Sequence, residues 1–175
     1  MANKEPLRIV TFFWDDPNAK HKGNYEFSIE HVNRLARAFK KHLKIDHEFV
    51  CVTDNPDGID VGLVRIIPLW DEFRDLGRCF VRLGVYSSAM RDIIGPRFAC
   101  IDLDTVIVGD VTPIFARTEP FIGYRDSKNP RCYSGCFYLM DAGAKEEVYK
   151  TFKRLYMMIP PQHRREHFLQ HYNHS

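Results

Sequence analysis

Short apolar runs and helically spaced apolar positions follow one another along the chain. Runs rich in β-branched and aromatic residues predict strands at residues 7–14, 47–53, 63–69, 98–101, 121–124 and 136–140. Apolar residues at helical spacing predict helices at residues 25–42, 78–90 and 144–158, with a short helical turn at 111–115. This order predicts an α/β fold, and residues 160–175 are expected to form a terminal helix or tail.

Two carboxylates follow the apolar run at residues 98–101. Because side chains alternate along an extended segment, Asp102 and Asp104 are expected to point to one side and Leu103 to the other. Two acids at the end of a buried strand repel each other and lose hydration, and a divalent cation offsets both penalties. Ligands of open α/β sheets bind beyond the carboxyl ends of strands, so this pair predicts a Mg²⁺ or Mn²⁺ site. The alternative is that both acids only cap the strand and meet solvent.

Composition narrows the classes of protein that remain. The chain has 175 residues, of which 45% are hydrophobic, which is enough for one domain spanning residues 1–175 with a substantial core. The net charge of +2 comes from dispersed basic residues, so nucleic acid is not the expected partner. No apolar stretch is long enough for a membrane span, and the first residues lack a signal-peptide core.

Cys51 and Cys100 lie in apolar runs, which predicts buried reduced thiols and a cytoplasmic location. Whether the protein forms a homo-oligomer stays open.

Several segments, in the same order, resemble one enzyme family. Residues 98–110, which contain Asp102-Leu103-Asp104, resemble the Asp-x-Asp segment of GT-A-fold nucleotide-sugar glycosyltransferases, particularly relatives of glycogenin and of bacterial lipopolysaccharide galactosyl- and glucosyltransferases. Arg82 resembles the basic residue on the helix before that segment. Residues 132–139 resemble the family's Asn-Ser-Gly segment, and residues 49–54 resemble its second strand with a terminal acid. The resemblance extends from about residue 7 to residue 158.

The resemblance implies a Rossmann-like αβα sandwich with a mixed central sheet, and a metal-dependent glycosyltransferase of the hexosyltransferase type. The donor would be a nucleoside diphosphate-sugar, most often a uridine one, and the acceptor would be an unknown glycan, lipid or protein. Mn²⁺ or Mg²⁺ would bridge Asp102, Asp104 and the diphosphate, with Leu103 between them lining the same site. Arg82 would donate to the phosphates, and the alternative for Arg82 is a surface ion pair with Asp75 or Asp92.

The same resemblance assigns the remaining site residues. Thr11, Phe12 and Trp14 would meet the base and ribose, and Tyr25 would stack on the base. For Trp14 and Tyr25 the alternative is core packing. Further expected contacts come from Asp54, which otherwise is a turn residue, from Ser134 and Gly135, whose backbone would approach the sugar, and from Asp126, which would reach a sugar hydroxyl. Gly135 has the alternative role of allowing a bend.

The chain departs from the family at two points. Tyr133 stands where the family has the Asn before Ser-Gly, a position used for sugar contact. The family also continues beyond this length and there supplies a histidine metal ligand and much of the acceptor site. The expectation is a short or truncated member, or a partner that supplies the rest. No catalytic base is assigned, because a retaining enzyme needs no obvious carboxylate base.

Three other functions compete with this one. An apolar strand followed by Asp-x-Asp also fits haloacid dehalogenase-like phosphatases, with Asp102 as nucleophile and Asp104 as acid/base, although no later strand ends in paired acids. His163 and His167 match the H-x-x-E-H pattern of inverted zinc proteases and His171 extends that face, but a polar helix face explains them as well. The third alternative is a nucleotide-sugar-binding domain without transfer activity.

Overall fold

The computed structural model describes residues 5–14, 27–125 and 133–172. Within these ranges, six strands form one mixed sheet in the order β3-β2-β1-β4-β6-β5. The strands are β1 (Leu7–Phe13), β2 (His47–Thr53), β3 (Val64–Pro68), β4 (Arg97–Ile101), β5 (Phe121–Arg125) and β6 (Tyr133–Asp141). The first four run parallel, whereas β6 is antiparallel to both β4 and β5. The six predicted strands are therefore confirmed, with β6 beginning three residues earlier than its apolar run.

Helices cover both faces of the sheet, as the αβα prediction requires. The described α-helices are α1 (Ile29–His42), α2 (Met90–Ile93), α3 (Thr112–Phe115), α4 (Glu146–Met158) and α5 (Pro161–Tyr172). The apolar stripe of α1 packs on one face, where Phe39 and Val32 are fully buried. The opposite face is covered by the segment from Val81 to Ile94, which contacts Val10 and Phe98 of the central strands. No helix in the described ranges has the length and apolar character of a membrane span.

The continuous helix predicted at residues 78–90 is wrong. The chain forms a 3₁₀ helix at Arg78–Tyr86, turns to extended backbone at Ser87, and forms the single turn of α2 only afterwards. The indole of Trp70 donates to the carbonyl oxygen of Val81 at 2.7 Å, which occupies an acceptor that an α-helix would use. Trp70 also lies so close to Gly84 that a Cβ there would be 2.7 Å from its Nε1. This long-range packing overrides the helical spacing of the local sequence.

The carboxy-terminal helices pack on the loop after β3 rather than on the sheet. Phe73, Leu76 and Phe168 form a separate buried cluster, and aromatic residues of α4 surround it. Polar contacts reinforce the attachment, because Tyr149 and Lys153 of α4 both bond to Glu72. Residues 160–175 were expected to form a helix or tail, and α5 occupies 161–172 of them with proline at its first position.

Two cysteines behave as the apolar pattern predicts. Cys51 and Cys100 are fully buried and their thiols are free. Burial raises the pKa of each thiol to about 12. Both are therefore inert core residues at neutral pH, and the cytoplasmic location stays a prediction.

Candidate functional site

The Asp102-Leu103-Asp104 segment lies at the carboxyl end of β4, in the middle of the sheet. The backbone N–H of Asp102 donates to the carbonyl oxygen of Cys136 on β6 at 3.1 Å, and the N–H of Thr105 donates back to the carbonyl oxygen of Asp102 at 3.1 Å. The chain thus turns at Asp102 instead of continuing as a strand. Leu103 is buried on the α1 face of the sheet, whereas Asp102 faces the 3₁₀ helix on the other. Asp104 belongs to the turn and is exposed, so strand alternation does not set its direction and that part of the prediction is wrong.

Arg82 of the 3₁₀ helix reaches Asp102 directly. Its Nη1 lies 2.5 Å from Oδ1 of Asp102, and its Nη2 donates to the carbonyl oxygen of Gly135 at 2.9 Å. The guanidinium also lies over the ring of Phe12, 5.7 Å from its centroid. Arg82 therefore forms an ion pair, which is the kind of contact that the alternative interpretation expected. Its partner, however, is Asp102 rather than Asp75 or Asp92. Asp75 instead accepts a hydrogen bond from the hydroxyl of Tyr156 at 2.8 Å.

The electrostatics of Asp102 reflect its partly buried position. Desolvation raises the pKa of this carboxyl, the positive charge of Arg82 works against that rise, and Asp104 adds to it. Below the ion pair lie Cys100 and Tyr138, which are cross-strand neighbours on β4 and β6. Burial raises the pKa of Tyr138 well above its usual value, so this layer is uncharged at neutral pH. A second positive charge beside Asp102 and Asp104 would further favour the ionised form of both carboxyl groups.

The donor set at this edge fits a divalent cation that is shared with a ligand. Arg82 holds Oδ1 of Asp102, and Asp104 is exposed beside it. Within the described residues, no group of three or more His, Cys, Asp or Glu side chains is placed to hold a metal. The protein would thus provide carboxylate oxygens from these two residues, and the remaining ligands would come from water and from phosphate oxygens. Mg²⁺ and Mn²⁺ are commonly bound in this way.

Two of the residues predicted to contact the nucleotide from β1, Thr11 and Phe12, have side chains that are too deeply buried to reach it. Thr11 is fully buried, and its hydroxyl donates to the carbonyl oxygen of Ile101 at 3.0 Å, which ties β1 to β4. Phe12 is 6% exposed and lies between Trp14 and Trp70 in edge-to-face contacts. Contacts of Thr11 and Phe12 with a base or ribose would have to use the backbone. Trp14 is half-buried and packs at the margin of the core, so core packing accounts for part of its ring.

Asp54, at the end of β2, is more than a turn residue. It is half-buried and forms an ion pair with Arg74, which begins a short 3₁₀ turn at Arg74–Leu76. The preceding residue, Phe73, has φ of +66°, a left-handed conformation that is strained for an aromatic residue. Neither Arg74 nor Phe73 lies in a recognisable sequence motif, so no local signal points to them. Tyr25 and Asp126, two further predicted site residues, lie outside the described residues.

Ser134 and Gly135 lie at the start of β6, beside the ion pair. The hydroxyl of Ser134 contacts Sγ of Cys136 at 3.1 Å and so turns along its own strand. Gly135 is exposed, and a Cβ built there would meet no heavy atom within 4 Å. Its backbone does not need glycine for its conformation, since its φ is not in the left-handed region. The missing side chain instead leaves open space next to Arg82 and Asp102.

The histidines of the H-x-x-E-H pattern lie far along the chain on α5. His163 and His167 are both exposed, and His167 meets the ring of Phe168 edge-on at 5.4 Å. The side chain of His171 lies outside the described residues. As no third metal-ligating residue joins them in the described part of the chain, the polar helix face is the simpler explanation of the pair.

Comparison with known proteins identifies the fold. No protein-family model matches the chain, and no curated protein sequence matches it. Among solved structures, the chain is similar to the apo form of the glycosyltransferase GlyE from Streptococcus pneumoniae, with a TM-score of 0.56 and 11% sequence identity. The match covers 89% of this chain and 39% of that protein, so the chain spans less than half of its length. The chain therefore has the mixed-sheet, Rossmann-like fold of a glycosyltransferase.

Proposed function

We propose that the chain is a glycosyltransferase domain that binds a nucleoside diphosphate-sugar with the help of Mn²⁺ or Mg²⁺. The observation that carries the proposal is the ion pair between Arg82 and Asp102 at the carboxyl edge of the sheet, with exposed Asp104 beside it. This edge is where open α/β sheets bind their ligands. The similarity of the fold to a glycosyltransferase supports the class of reaction.

Each residue has a distinct role in this proposal. Asp102 and Asp104 would hold the cation, which would offset the negative charge of the diphosphate leaving group. Arg82 fixes the direction of Asp102 by bonding it and the carbonyl oxygen of Gly135 at the same time. A guanidinium has five N–H donors, so donors remain for a phosphate oxygen. Open space at Gly135 would admit the sugar ring.

A uridine donor and a hexosyl product follow from the sequence resemblance. The half-buried ring of Trp14 and the Asp54–Arg74 pair lie at the ends of the neighbouring strands β1 and β2. In this proposal they would contact the base and ribose of the donor. The phosphatase alternative is less well supported, because no later strand ends in paired acids and the fold is similar to that of a glycosyltransferase.

The test is release of uridine diphosphate from uridine diphosphate-hexoses, with and without Mn²⁺. Hydrolysis or transfer should release it only with the metal, and Asp104→Asn should abolish the release while the variant keeps its fold. A panel of glycosides, lipids and peptides would then reveal the acceptor. Metal-independent release, or release by Asp104→Asn at the wild-type rate, would contradict the proposal. Donor binding without any release would support the non-catalytic alternative.

A further inference from the structure

Tyr133 carries an exposed aromatic ring that is nevertheless held in place. The residue is 60% exposed at the start of β6. Its ring meets Phe121 of β5 edge-on, with centroids 5.7 Å apart and an interplanar angle of 86°. The ring also lies over Gly123, where a Cβ would be only 2.8 Å from Cδ1 of Tyr133. Glycine at that position is what allows the ring to lie this close to the neighbouring strand.

The ring lies on the same side of the sheet as the ion pair. Phe121, which it contacts, packs against the core cluster that the 3₁₀ helix covers, and Arg82 belongs to that helix. Gly135, whose carbonyl oxygen accepts from Arg82, is two residues further along β6. Tyr133 is therefore on the same side of the sheet as the ion pair and two positions along the same strand from the group that bonds Arg82.

We propose that Tyr133 is a stacking platform for a hexopyranose ring; this inference rests on the proposed function and names the sugar-binding residue of that site. The apolar face of a pyranose carries C–H groups that pack against the negative face of an aromatic ring. A ring fixed by Phe121 and Gly123 loses little freedom when a sugar binds. An exposed apolar surface beside a polar site also marks a contact surface. The glycosyltransferases that the sequence resembles have Asn here, so the platform is a property of this chain.

The test uses saturation-transfer NMR and calorimetry with defined probes. The probes are uridine diphosphate, uridine diphosphate-glucose, uridine diphosphate-galactose and the methyl glycosides of glucose and galactose, each with Mn²⁺ in calorimetry and with diamagnetic Mg²⁺ in NMR. The variants are Tyr133→Ala and Tyr133→Phe, with Tyr124→Ala as the matched control, since Tyr124 is 55% exposed on the adjacent strand. Gly123→Ala adds a variant that keeps the tyrosine but displaces its ring.

Tyr133→Ala should weaken binding of the sugar-containing probe about tenfold and remove saturation transfer to the C–H protons of one sugar face. Tyr133→Phe should bind as the wild type does, Gly123→Ala should resemble Tyr133→Ala, and Tyr124→Ala should have no effect. A loss confined to the nucleotide-sugars assigns the platform to the donor sugar, and a loss confined to the methyl glycosides assigns it to the acceptor. Uridine diphosphate alone should bind equally to all variants.

Equal sugar affinity of the wild type and Tyr133→Ala would overturn the inference, even where uridine diphosphate binds with Mn²⁺ and the proposed function stands. Loss of sugar binding in Tyr124→Ala as large as in Tyr133→Ala would also overturn it. Failure of uridine diphosphate to bind any variant would instead overturn the proposed function, and the methyl glycosides would still report on Tyr133.

Discussion

Arg82 and Asp102 form an ion pair, with 2.5 Å between Nη1 and Oδ1, at the carboxyl edge of the central sheet. The two residues are 20 positions apart in the sequence and come from a 3₁₀ helix and the end of β4. The pair is only partly exposed, with 17% of the Arg82 side chain and 29% of the Asp102 side chain accessible. The ion pair therefore links the 3₁₀ helix, which packs on one face of the sheet, to the carboxyl end of β4, where the candidate site lies.

Removing Arg82 should destabilise the fold. Arg82→Ala leaves a partly buried carboxylate without its partner, and we expect a loss of about 1–3 kcal/mol in the free energy of unfolding. Arg82→Lys should lose less, because an ammonium keeps the charge but lacks the fork that spans Asp102 and Gly135. Urea unfolding measures both. Arg65→Ala, which breaks an exposed pair with Glu48, is the control, and equal losses in Arg82→Ala and Arg65→Ala would contradict the structural role of Arg82.

The two acids of the turn should differ when each is replaced by its amide. Both Asp102→Asn and Asp104→Asn should abolish metal-dependent binding of uridine diphosphate, because each removes a carboxylate from the cation. Asp102→Asn should also lower the free energy of unfolding, since it weakens the bond to Arg82, whereas Asp104→Asn should not. Calorimetry and urea unfolding separate the two effects. Asp92→Asn, on α2 before the amino end of β4, should change neither measurement, and normal nucleotide binding by Asp104→Asn would contradict its assigned role.

The strands were predictable from the sequence because burial on both faces demands continuous apolar runs. Val50 and Val52 on β2, like Phe98 and Ala99 on β4, are fully buried, and each lies in such a run. Asp102 was predictable as a residue that needs a compensating charge, because it is a carboxylate directly after a buried strand, and Arg82 supplies that charge. The local pattern therefore revealed the sheet and the edge at which the candidate site was proposed.

Contacts between distant segments were not predictable from the local pattern. Nothing near Gly84 in the sequence indicates that Trp70 will take the acceptor at Val81 and convert a helical pattern into a 3₁₀ helix. The turn at Asp102 depends on the hydrogen bond from its N–H to the carbonyl oxygen of Cys136 on β6. The ion pair of Arg82 with Asp102, rather than with a nearby acid in the sequence, likewise depends on how distant segments pack. In each case tertiary packing decided the outcome.

Gly84 should tolerate alanine poorly. A Cβ there would lie 2.7 Å from Nε1 of Trp70, and this indole is fixed by its hydrogen bond to Val81 and its contact with Phe12. We expect Gly84→Ala to lower the free energy of unfolding by about 1–3 kcal/mol through overpacking. Gly109→Ala, where a Cβ would meet no atom within 4 Å, should cost less than about 0.5 kcal/mol. Thermal or urea unfolding of the two variants tests the packing, and equal stability of both would contradict it.

The buried thiols should make the fold sensitive to alkali. The pKa of Cys51 and of Cys100 rises to about 12 in the folded protein, from 9.0 in the unfolded chain. Below pH 9 both states hold these protons and stability is unaffected. Between pH 9 and 12 only the unfolded state releases them, so stability falls by as much as about 1.4 kcal/mol per pH unit for each thiol.

The measurement is the free energy of unfolding at pH 8 and at pH 10.5. Cys51→Ala and Cys100→Ala should each show a smaller drop between the two pH values than the wild type. Val52→Ala is the matched control, because it removes buried volume without a titrating group and should keep the wild-type drop. If both cysteine variants lost as much stability with pH as the wild type, the thiols would not be the cause.

The most direct test of the proposed function is calorimetric titration of the protein with uridine diphosphate, first with Mn²⁺ and then with a chelator. If Asp102 and Asp104 hold the cation that carries the diphosphate, binding is measurable with Mn²⁺ and disappears when the metal is removed. Absence of binding under both conditions, or equal binding with the chelator, would contradict a metal-dependent nucleotide-sugar site at this edge of the sheet.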